Sequence, residues 1–299
     1  MDLRDKLSPA QLDRACQLLD YQPFILSDDL QTGAAYSWMY NTAVARSQTP
    51  MLFDRRQWTH EEWDCITDAN ARCRRMYDML ISEIARRYPG GTLLDLACNN
   101  GYFPVKSELC GMQGVGTDMG PQYEHSISLL NEALGTNARF IHSTYDTRRH
   151  TSEIDGRFTV VVASAILCHL PDPLNFLAHL GTLAEEAIFF CGQLIESDTL
   201  LVSYLPPQPT LGRGDMPFPL RFNSDVRVSR GLLYYGFEEM GFKNLYELPW
   251  REDWLPPYFN VHYSPQLLDG EERPDVLQAW QLDRELRQGS KHVALLAMR

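Results

Sequence analysis

A strand-like segment, a loop and an acidic residue follow one another between residues 92 and 118, and together they could bind a nucleoside. The loop runs from Ala97 to Gly101 and contains a single glycine, where a strand pattern gives way to a helix pattern. Asp118 ends the next strand pattern, and a carboxylate about 20 residues beyond such a loop can accept hydrogen bonds from both ribose hydroxyls. Asp118 could instead cap the helix predicted to follow it.

The residue types in this loop favour one cofactor class over another. A dinucleotide brings its pyrophosphate close to the loop backbone, which demands three glycines, and the acidic Asp95 precedes the loop. Asparagine tolerates positive φ better than most residues, so Asn99 and Asn100 can take the place of glycines in backbone shape. S-adenosylmethionine has no phosphate and carries a sulfonium cation, which suits an acidic strand end. We therefore expect S-adenosylmethionine here and not a nicotinamide dinucleotide.

His169 is the candidate general base. It follows the predicted fourth strand on the pocket side, and histidine titrates near neutral pH. It could instead cap the helix that starts beside Pro171 and Asp172. His125 and His142 fall within a helix pattern and a strand pattern, so we expect them to be structural. His169 and His179 lack metal-ligand spacing with an acidic or cysteine partner, and we predict no metal.

Two regions offer candidate substrate contacts. Tyr36, Trp38 and Tyr40 provide aromatic and hydroxyl groups that can surround a methyl sulfonium, although the same stripe could be core packing against the sheet. Arg221 lies in a proline-rich stretch and could pair with a substrate carboxylate, or it could be a solvated charge.

The elements that must position these residues change character at Pro89. Before it, apolar periodicity predicts a long helix with a Thr59/Glu62 capping box, and no strand is expected. After it, short apolar runs alternate with helical stretches, which is typical of βαβ units and a parallel sheet. The predicted strands are Thr92–Ala97, Gly114–Asp118, Ala138–Thr144, Phe158–Ala165, Ala187–Gln193, 243–250 and 291–299. The predicted helices after Pro89 are Phe103–Met112, Pro121–Leu134, Pro173–Leu183 and 229–242.

Composition narrows the classes of partner. The formal charge is −12, which disfavours a nucleic-acid partner. The longest nearly apolar run, from Phe158, is too short to span a bilayer, and the first 20 residues lack the apolar segment of a signal peptide. Seven cysteines without a CxxC pair indicate reduced thiols in the cytoplasm, without zinc or disulfides. A homodimer is left open.

Five segments in order resemble the class I S-adenosylmethionine-dependent methyltransferases. They are LLDLACNNG, GVGTD, FTVVVASAILCHLPDPLNFLAHL, GFEEMGFKNLYEL and KHVALLAMR. The resemblance covers residues 91–299, although Ala97 stands where the family's first loop glycine is usual. It implies an α/β fold with a Rossmann-like, seven-stranded, mostly parallel sheet and an antiparallel last strand. A mainly helical cap would span residues 1–88 and the core residues 89–299, with insertions near 195–228 and 251–289.

Residue roles follow from the same resemblance by matching position. Asp118 would hold the ribose, Met119 would pack on the adenine, and Asp146 would face the adenine amino group. Ser164 and Ala165 would line the pocket. The residues expected around the methionine moiety are Asp95, Ala97, Cys98, Asn99, Asn100 and Gly101.

A weaker resemblance links ILSDDLQTGAAYSW and SAILCHLPDP to the methyltransferase-like group that includes the wobble-uridine tRNA-modifying enzymes. The acidic charge argues against tRNA. The leading hypothesis is an enzyme that methylates O, N or S of a small metabolite or natural-product intermediate. The alternatives are a tRNA alkyl transferase of the wobble-uridine type and a non-catalytic partner subunit with the cofactor fold.

Overall fold

The protein is described by a computed structural model that covers residues 1–33, 52–143, 154–170, 172–204, 226–247 and 290–299. The helices are α1 (Pro9–Leu18), α2 (His60–Arg87), α3 (Tyr102–Leu109), α4 (Gln122–Leu134), α5 (Pro173–Leu183) and α6 (Arg230–Glu239). The strands are β1 (Leu30–Thr32), β2 (Leu52–Asp54), β3 (Thr92–Leu96), β4 (Gln113–Asp118), β5 (Arg139–His142), β6 (Phe158–Ser164), β7 (Ala184–Ile195), β8 (Val202–Tyr204), β9 (Val226–Val228), β10 (Asn244–Glu247) and β11 (Ser290–Met298).

Seven of these strands form one sheet in the order β10-β11-β7-β6-β3-β4-β5. The pairs β3–β4, β4–β5 and β6–β7 are parallel, whereas β11 runs antiparallel to both of its neighbours, β7 and β10. This topology confirms the predicted mostly parallel, Rossmann-like sheet with an antiparallel last strand.

Local signals predicted most of the helices and strands well. The Thr59/Glu62 capping box is confirmed at the start of α2: Glu62 N donates to Thr59 Oγ1 (3.3 Å), and Thr59 N donates to Glu62 Oε2 (2.9 Å). Helix α5 has the predicted bounds, and β7 begins three residues earlier than predicted, at Ala184.

The expectation that no strand precedes Pro89 is wrong. Strands β1 and β2 pair antiparallel, with Gln31 opposite Phe53. Each has three residues, too few for alternation to be visible, and in β1 the polar Gln31 and Thr32 are buried while Leu30 is half-buried. Apolar periodicity cannot predict a strand whose polar residues are more buried than its apolar residue.

The described chain divides into two compact units, residues 1–143 and the residues from 154 onward. The first contains α1–α4 and β1–β5, and the second contains the remaining elements, including an antiparallel β8–β9 pair in the first predicted insertion. The domain boundary predicted at residue 88 stays a prediction.

Helix α3 lies unusually close to β4, which fixes where the loop before α3 can go. A Cβ added to Gly114 would contact Pro104 O and lie 2.8 Å from Ser107 Oγ, and one added to Gly116 would lie 2.7 Å from Cys98 Sγ. Only glycine permits this approach. The two glycines of the GVGTD segment therefore let the helix and the loop pack directly on the strand.

Candidate functional site

The loop between β3 and α3 repeatedly uses the left-handed backbone region. Ala97, Asn99 and Gly101 have φ of 58°, 50° and 87°. Asn99 therefore takes the glycine-like conformation expected of it, and Ala97 does so without being a glycine. Asn100 does not take a positive φ, so the same expectation for Asn100 is wrong. Left-handed φ costs a non-glycine residue about 1–2 kcal/mol, and strain of this kind concentrates at functional sites.

All five backbone N–H groups from residue 98 to residue 102 already have partners within the protein. The donor–acceptor pairs are Cys98 N to Thr117 O (3.0 Å), Asn99 N to Asp118 Oδ2 (3.0 Å), Asn100 N to Asn99 Oδ1 (2.8 Å), Gly101 N to Cys98 O (3.0 Å) and Tyr102 N to Gln22 Oε1 (2.9 Å). Phosphate-binding loops instead point such groups at the ligand. The loop is therefore built for a ligand without phosphate.

Asp118 ends β4 beside this loop. Its Oδ2 accepts from Asn99 N and its Oδ1 from Gly120 N, each at 3.0 Å. It does not cap α4, whose N-cap residue is Pro121. An ionised carboxylate has about four acceptor positions, so two remain in a half-buried group.

Asp95 lies in β3, one residue before the strand ends, and is 2% exposed. Burial, and then the charge of Asp118, raises the pKa of Asp95 well above its usual range. Burial followed by Asp118 also raises the pKa of Tyr123 to about 12, and the Tyr123 hydroxyl accepts from Asn99 Nδ2 (3.2 Å). The loop thus faces a concentration of acidic groups.

The side chains of two predicted loop residues point into the protein. Cys98 and Asn100 are buried, and burial followed by Asp95 and Asp118 raises the pKa of the Cys98 thiol. A role for these two residues in cofactor binding stays a prediction, and any contact with the cofactor would come from their backbone atoms. Met119, by contrast, is 73% exposed and available for packing on an adenine. Its carbonyl oxygen lies 3.0 Å from His142 Nε2, a structural contact for that histidine.

The second unit carries Ser164, Ala165 and His169. Ser164 ends β6, and Ala165 follows it with φ 54° while its N–H donates to Cys191 O (2.8 Å). His169 ends a short 3-10 turn and is exposed. It does not cap α5, because Asp172 is the N-cap residue there. His169 stays the predicted general base.

The remaining predicted site residues lie outside the described part of the chain. They are Tyr36, Trp38, Tyr40, Asp146 and Arg221. Their roles stay predictions. The second predicted insertion, residues 251–289, also lies outside the described part of the chain.

Sequence reasoning missed Gln22 and Tyr123, which both contact the loop. Gln22 Nε2 donates to Cys98 O (3.2 Å), and Tyr123 contacts Asn99. Gln22 stands 76 residues before Cys98 in the chain, so no local pattern pointed to it. Among the described residues, no group of three or more His, Cys, Asp or Glu side chains could hold a metal ion, and no helix is long and apolar enough to cross a membrane.

Comparison with known proteins agrees with this geometry. Residues 69–217 match the family model described as "Methyltransferase domain". The chain carries a methyltransferase domain. The match spans the loop, Asp118 and the segment from Ser164 to His169, and it confirms the resemblance to methyltransferases.

The methyltransferase domain is also similar to the ubiquinone biosynthesis O-methyltransferases of Vibrio campbellii and Vibrio parahaemolyticus. Each is 29% identical over 103 residues, which are 34% of this chain and 43% of the relative. The chain thus matches less than half the length of these relatives.

Similar solved structures include two with S-adenosylhomocysteine. The N-terminal domain of EvdMO1, in the presence of that molecule and D-fucose, is 14% identical with a TM-score of 0.47, over 74% of this chain and 82% of the other. The 1,6-didemethyltoxoflavin-N1-methyltransferase of Burkholderia thailandensis is 15% identical with a TM-score of 0.43, over 75% of this chain and 78% of the other.

Proposed function

We propose that the protein transfers a methyl group from S-adenosylmethionine to a small molecule. The observation that carries this proposal is the half-buried carboxylate of Asp118, set beside a loop with no free backbone amide from residue 98 to 102, within a methyltransferase domain. An oxygen acceptor is favoured over nitrogen or sulfur, because the similar Vibrio proteins are named O-methyltransferases.

The residues at the loop fit S-adenosylmethionine. Asp118 keeps two acceptor positions for ribose hydroxyls, and Met119 offers an exposed apolar surface for an adenine. A sulfonium bound nearby would favour the charged form of the buried Asp95 carboxyl. The same residues fit a diphosphate poorly, because negative groups replace amide donors. Ala97, which stands where the family's first loop glycine is usual, keeps the backbone shape of the loop because it adopts the left-handed conformation itself.

The cofactor supplies a methyl group already activated on sulfur, so the protein mainly aligns the acceptor and excludes water. Alignment of two bound reactants can lower a barrier by as much as ~7–11 kcal/mol. For an oxygen acceptor, His169 would take the hydroxyl proton. The seven cysteines, all free thiols in the structure, favour a reducing compartment, and we place the protein in the cytoplasm.

Isothermal titration with S-adenosylmethionine and S-adenosylhomocysteine tests the cofactor. Asp118→Asn keeps the shape of the side chain but removes its charge and one acceptor oxygen, and we expect binding about 10–100-fold weaker. Asp68→Asn is the matched control, since Asp68 bonds Arg72 Nε (2.7 Å) on the surface of α2 and should leave binding unchanged. Absence of binding by the wild type, or equal binding by Asp118→Asn, would refute the cofactor assignment.

The acceptor class is tested by release of S-adenosylhomocysteine from a pooled metabolite extract, with total tRNA in a parallel reaction. We expect turnover with small molecules and no retention of tRNA in a gel shift, because the chain carries a formal charge of −12. Turnover on tRNA alone would favour the tRNA-modifying alternative. Cofactor binding without turnover on any acceptor would favour the non-catalytic subunit.

A further inference from the structure

The side chain of Gln22 bridges two points of the cofactor loop. Gln22 lies just beyond α1 and is 6% exposed. Its Nε2 donates to Cys98 O (3.2 Å), and its Oε1 accepts from Tyr102 N (2.9 Å). These two backbone groups enclose the Asn99–Gly101 turn, so one side-chain amide holds both ends of that turn.

The loop returns the contact through Asn100, which is fully buried. Asn100 Nδ2 donates to Leu18 O (3.0 Å). Asn100 Oδ1 accepts from the backbone N–H groups of Asp20 (3.4 Å), Tyr21 (3.1 Å) and Gln22 (3.4 Å). The segment after α1 therefore binds the loop backbone through the Gln22 amide, and the loop binds the backbone of that segment through the Asn100 amide. We call this pair of interactions, formed by Gln22 and Asn100, the amide exchange.

The atoms that Gln22 engages would otherwise be short of partners. Tyr102 supplies the first N–H of α3, which has no partner within the helix. Cys98 O already accepts from Gly101 N (3.0 Å), and Gln22 fills its second acceptor position. Buried polar groups left unpaired destabilise the conformation that contains them.

The consequence for the loop follows from its strain. Ala97 and Asn99 are held at positive φ, which an alanine or asparagine leaves when the surrounding contacts weaken. Asn99 N is also the group that orients Asp118 Oδ2. Loss of the bridge would therefore disturb both the loop and the carboxylate assigned to the ribose.

We propose that Gln22 is a positioning residue for cofactor binding, which acts through the backbone of Cys98 and Tyr102 without touching the cofactor. The proposal rests on the proposed function, because it assigns a further residue to the same site.

The experiment compares three variants by isothermal titration with S-adenosylhomocysteine from pH ~5 to ~8, a range that brackets the raised pKa of a buried glutamic acid. Gln22→Met keeps the length of the side chain and removes both hydrogen bonds. Gln22→Glu keeps the acceptor for Tyr102 N, and it can donate to Cys98 O only when protonated. Gln31→Glu is the matched control. Gln31 is a 3% exposed glutamine of the same unit that bonds Thr67 Oγ1 (2.9 Å) and Asn70 Nδ2 (3.2 Å).

We expect the Kd of Gln22→Met, relative to wild type at the same pH, to rise about tenfold at every pH. The relative Kd of Gln22→Glu should rise at least as much at the alkaline end and return to within about threefold at the acidic end, where protonation restores the donor. Gln31→Glu should have a relative Kd near one throughout, even though its melting temperature falls.

A purely structural role for Gln22 would lower the melting temperatures of the Gln22 and Gln31 variants alike and leave every relative Kd near one, which would overturn the proposal. A relative Kd for Gln22→Glu that stays constant with pH would also overturn it. A wild type that fails to bind S-adenosylhomocysteine would overturn the proposed function, and this inference with it.

Discussion

Gly101 is the position in the cofactor loop where substitution should do most damage, for two separable reasons. Its φ of 87° is left-handed, and a Cβ there would contact Ile127 Cγ1 and lie 2.9 Å from Ile127 Cδ1. Gly135 shares only the first property, with φ 67° and open space where a Cβ would be added. Left-handed φ costs an alanine about 1–2 kcal/mol, less about 0.4–1 kcal/mol from the unfolded chain. Overpacking against Ile127 adds about 1–3 kcal/mol.

Gly135→Ala should therefore lower the free energy of unfolding by about 1 kcal/mol, and Gly101→Ala by about 2–4 kcal/mol. Urea unfolding followed by far-ultraviolet circular dichroism measures both. In an Ile127→Ala background the contact disappears, and the cost of Gly101→Ala should fall to that of Gly135→Ala. An Ile127→Val background should not relieve it, because a γ carbon remains. Equal costs for Gly101→Ala and Gly135→Ala in the wild-type background would refute the reasoning.

Substitutions at two further positions, Ala97 and Asp95, test the strain and the charge of the site, each by urea unfolding. Ala97→Gly should raise the free energy of unfolding by about 1 kcal/mol, because relief of left-handed strain exceeds the stabilisation lost through glycine's freedom in the unfolded chain. Ala97→Val should lower it by at least about 1 kcal/mol, and a stable valine variant would contradict the left-handed conformation. Asp95→Asn should raise stability at neutral pH. Burial and the charge of Asp118 raise the pKa of Asp95 in the folded protein above 3.8, the ordinary value for aspartate. As the pH rises, the unfolded chain therefore loses this proton before the folded protein does. The stability of the wild type then falls as the pH rises above about 4. The gain should vanish below pH about 4, and a gain independent of pH would show that the charge of Asp95 is not its cause.

The sequence could reveal those features whose signals are local. Thr59 and Glu62 stand three residues apart, so a capping box was readable, and the structure has it. The alternation of apolar runs with helical stretches predicted the order of β3 to β7, because periodicity reflects burial on one face or both. Asp118 was found because its position at the end of a strand, a fixed distance beyond the loop, is itself a local pattern.

Features that depend on distant partners were not readable. Strands β1 and β2 were missed because a buried Gln31 and Thr32 look like exposed polar residues until their pairing with residues 52–54 is known. The two possible cap assignments for Asp118 and His169 were also decided by the fold, which gives those caps to Pro121 and Asp172.

The sequence by itself determined the fold class, the position of the loop and the acidic character of its surroundings, because strand and helix periods and residue charges are properties of neighbours in the chain. Only the tertiary structure decided how the loop is held. Gln22 and Asn100 exchange hydrogen bonds across a separation of 78 residues, and a side-chain amide acquires such partners only after the chain has folded back on itself. Gln22 occupies the backbone N–H of Tyr102. The four N–H groups from residue 98 to 101 bond Thr117, Asp118 and the loop itself. No backbone donor from residue 98 to 102 is left free, which is why the loop suits a cofactor without phosphate.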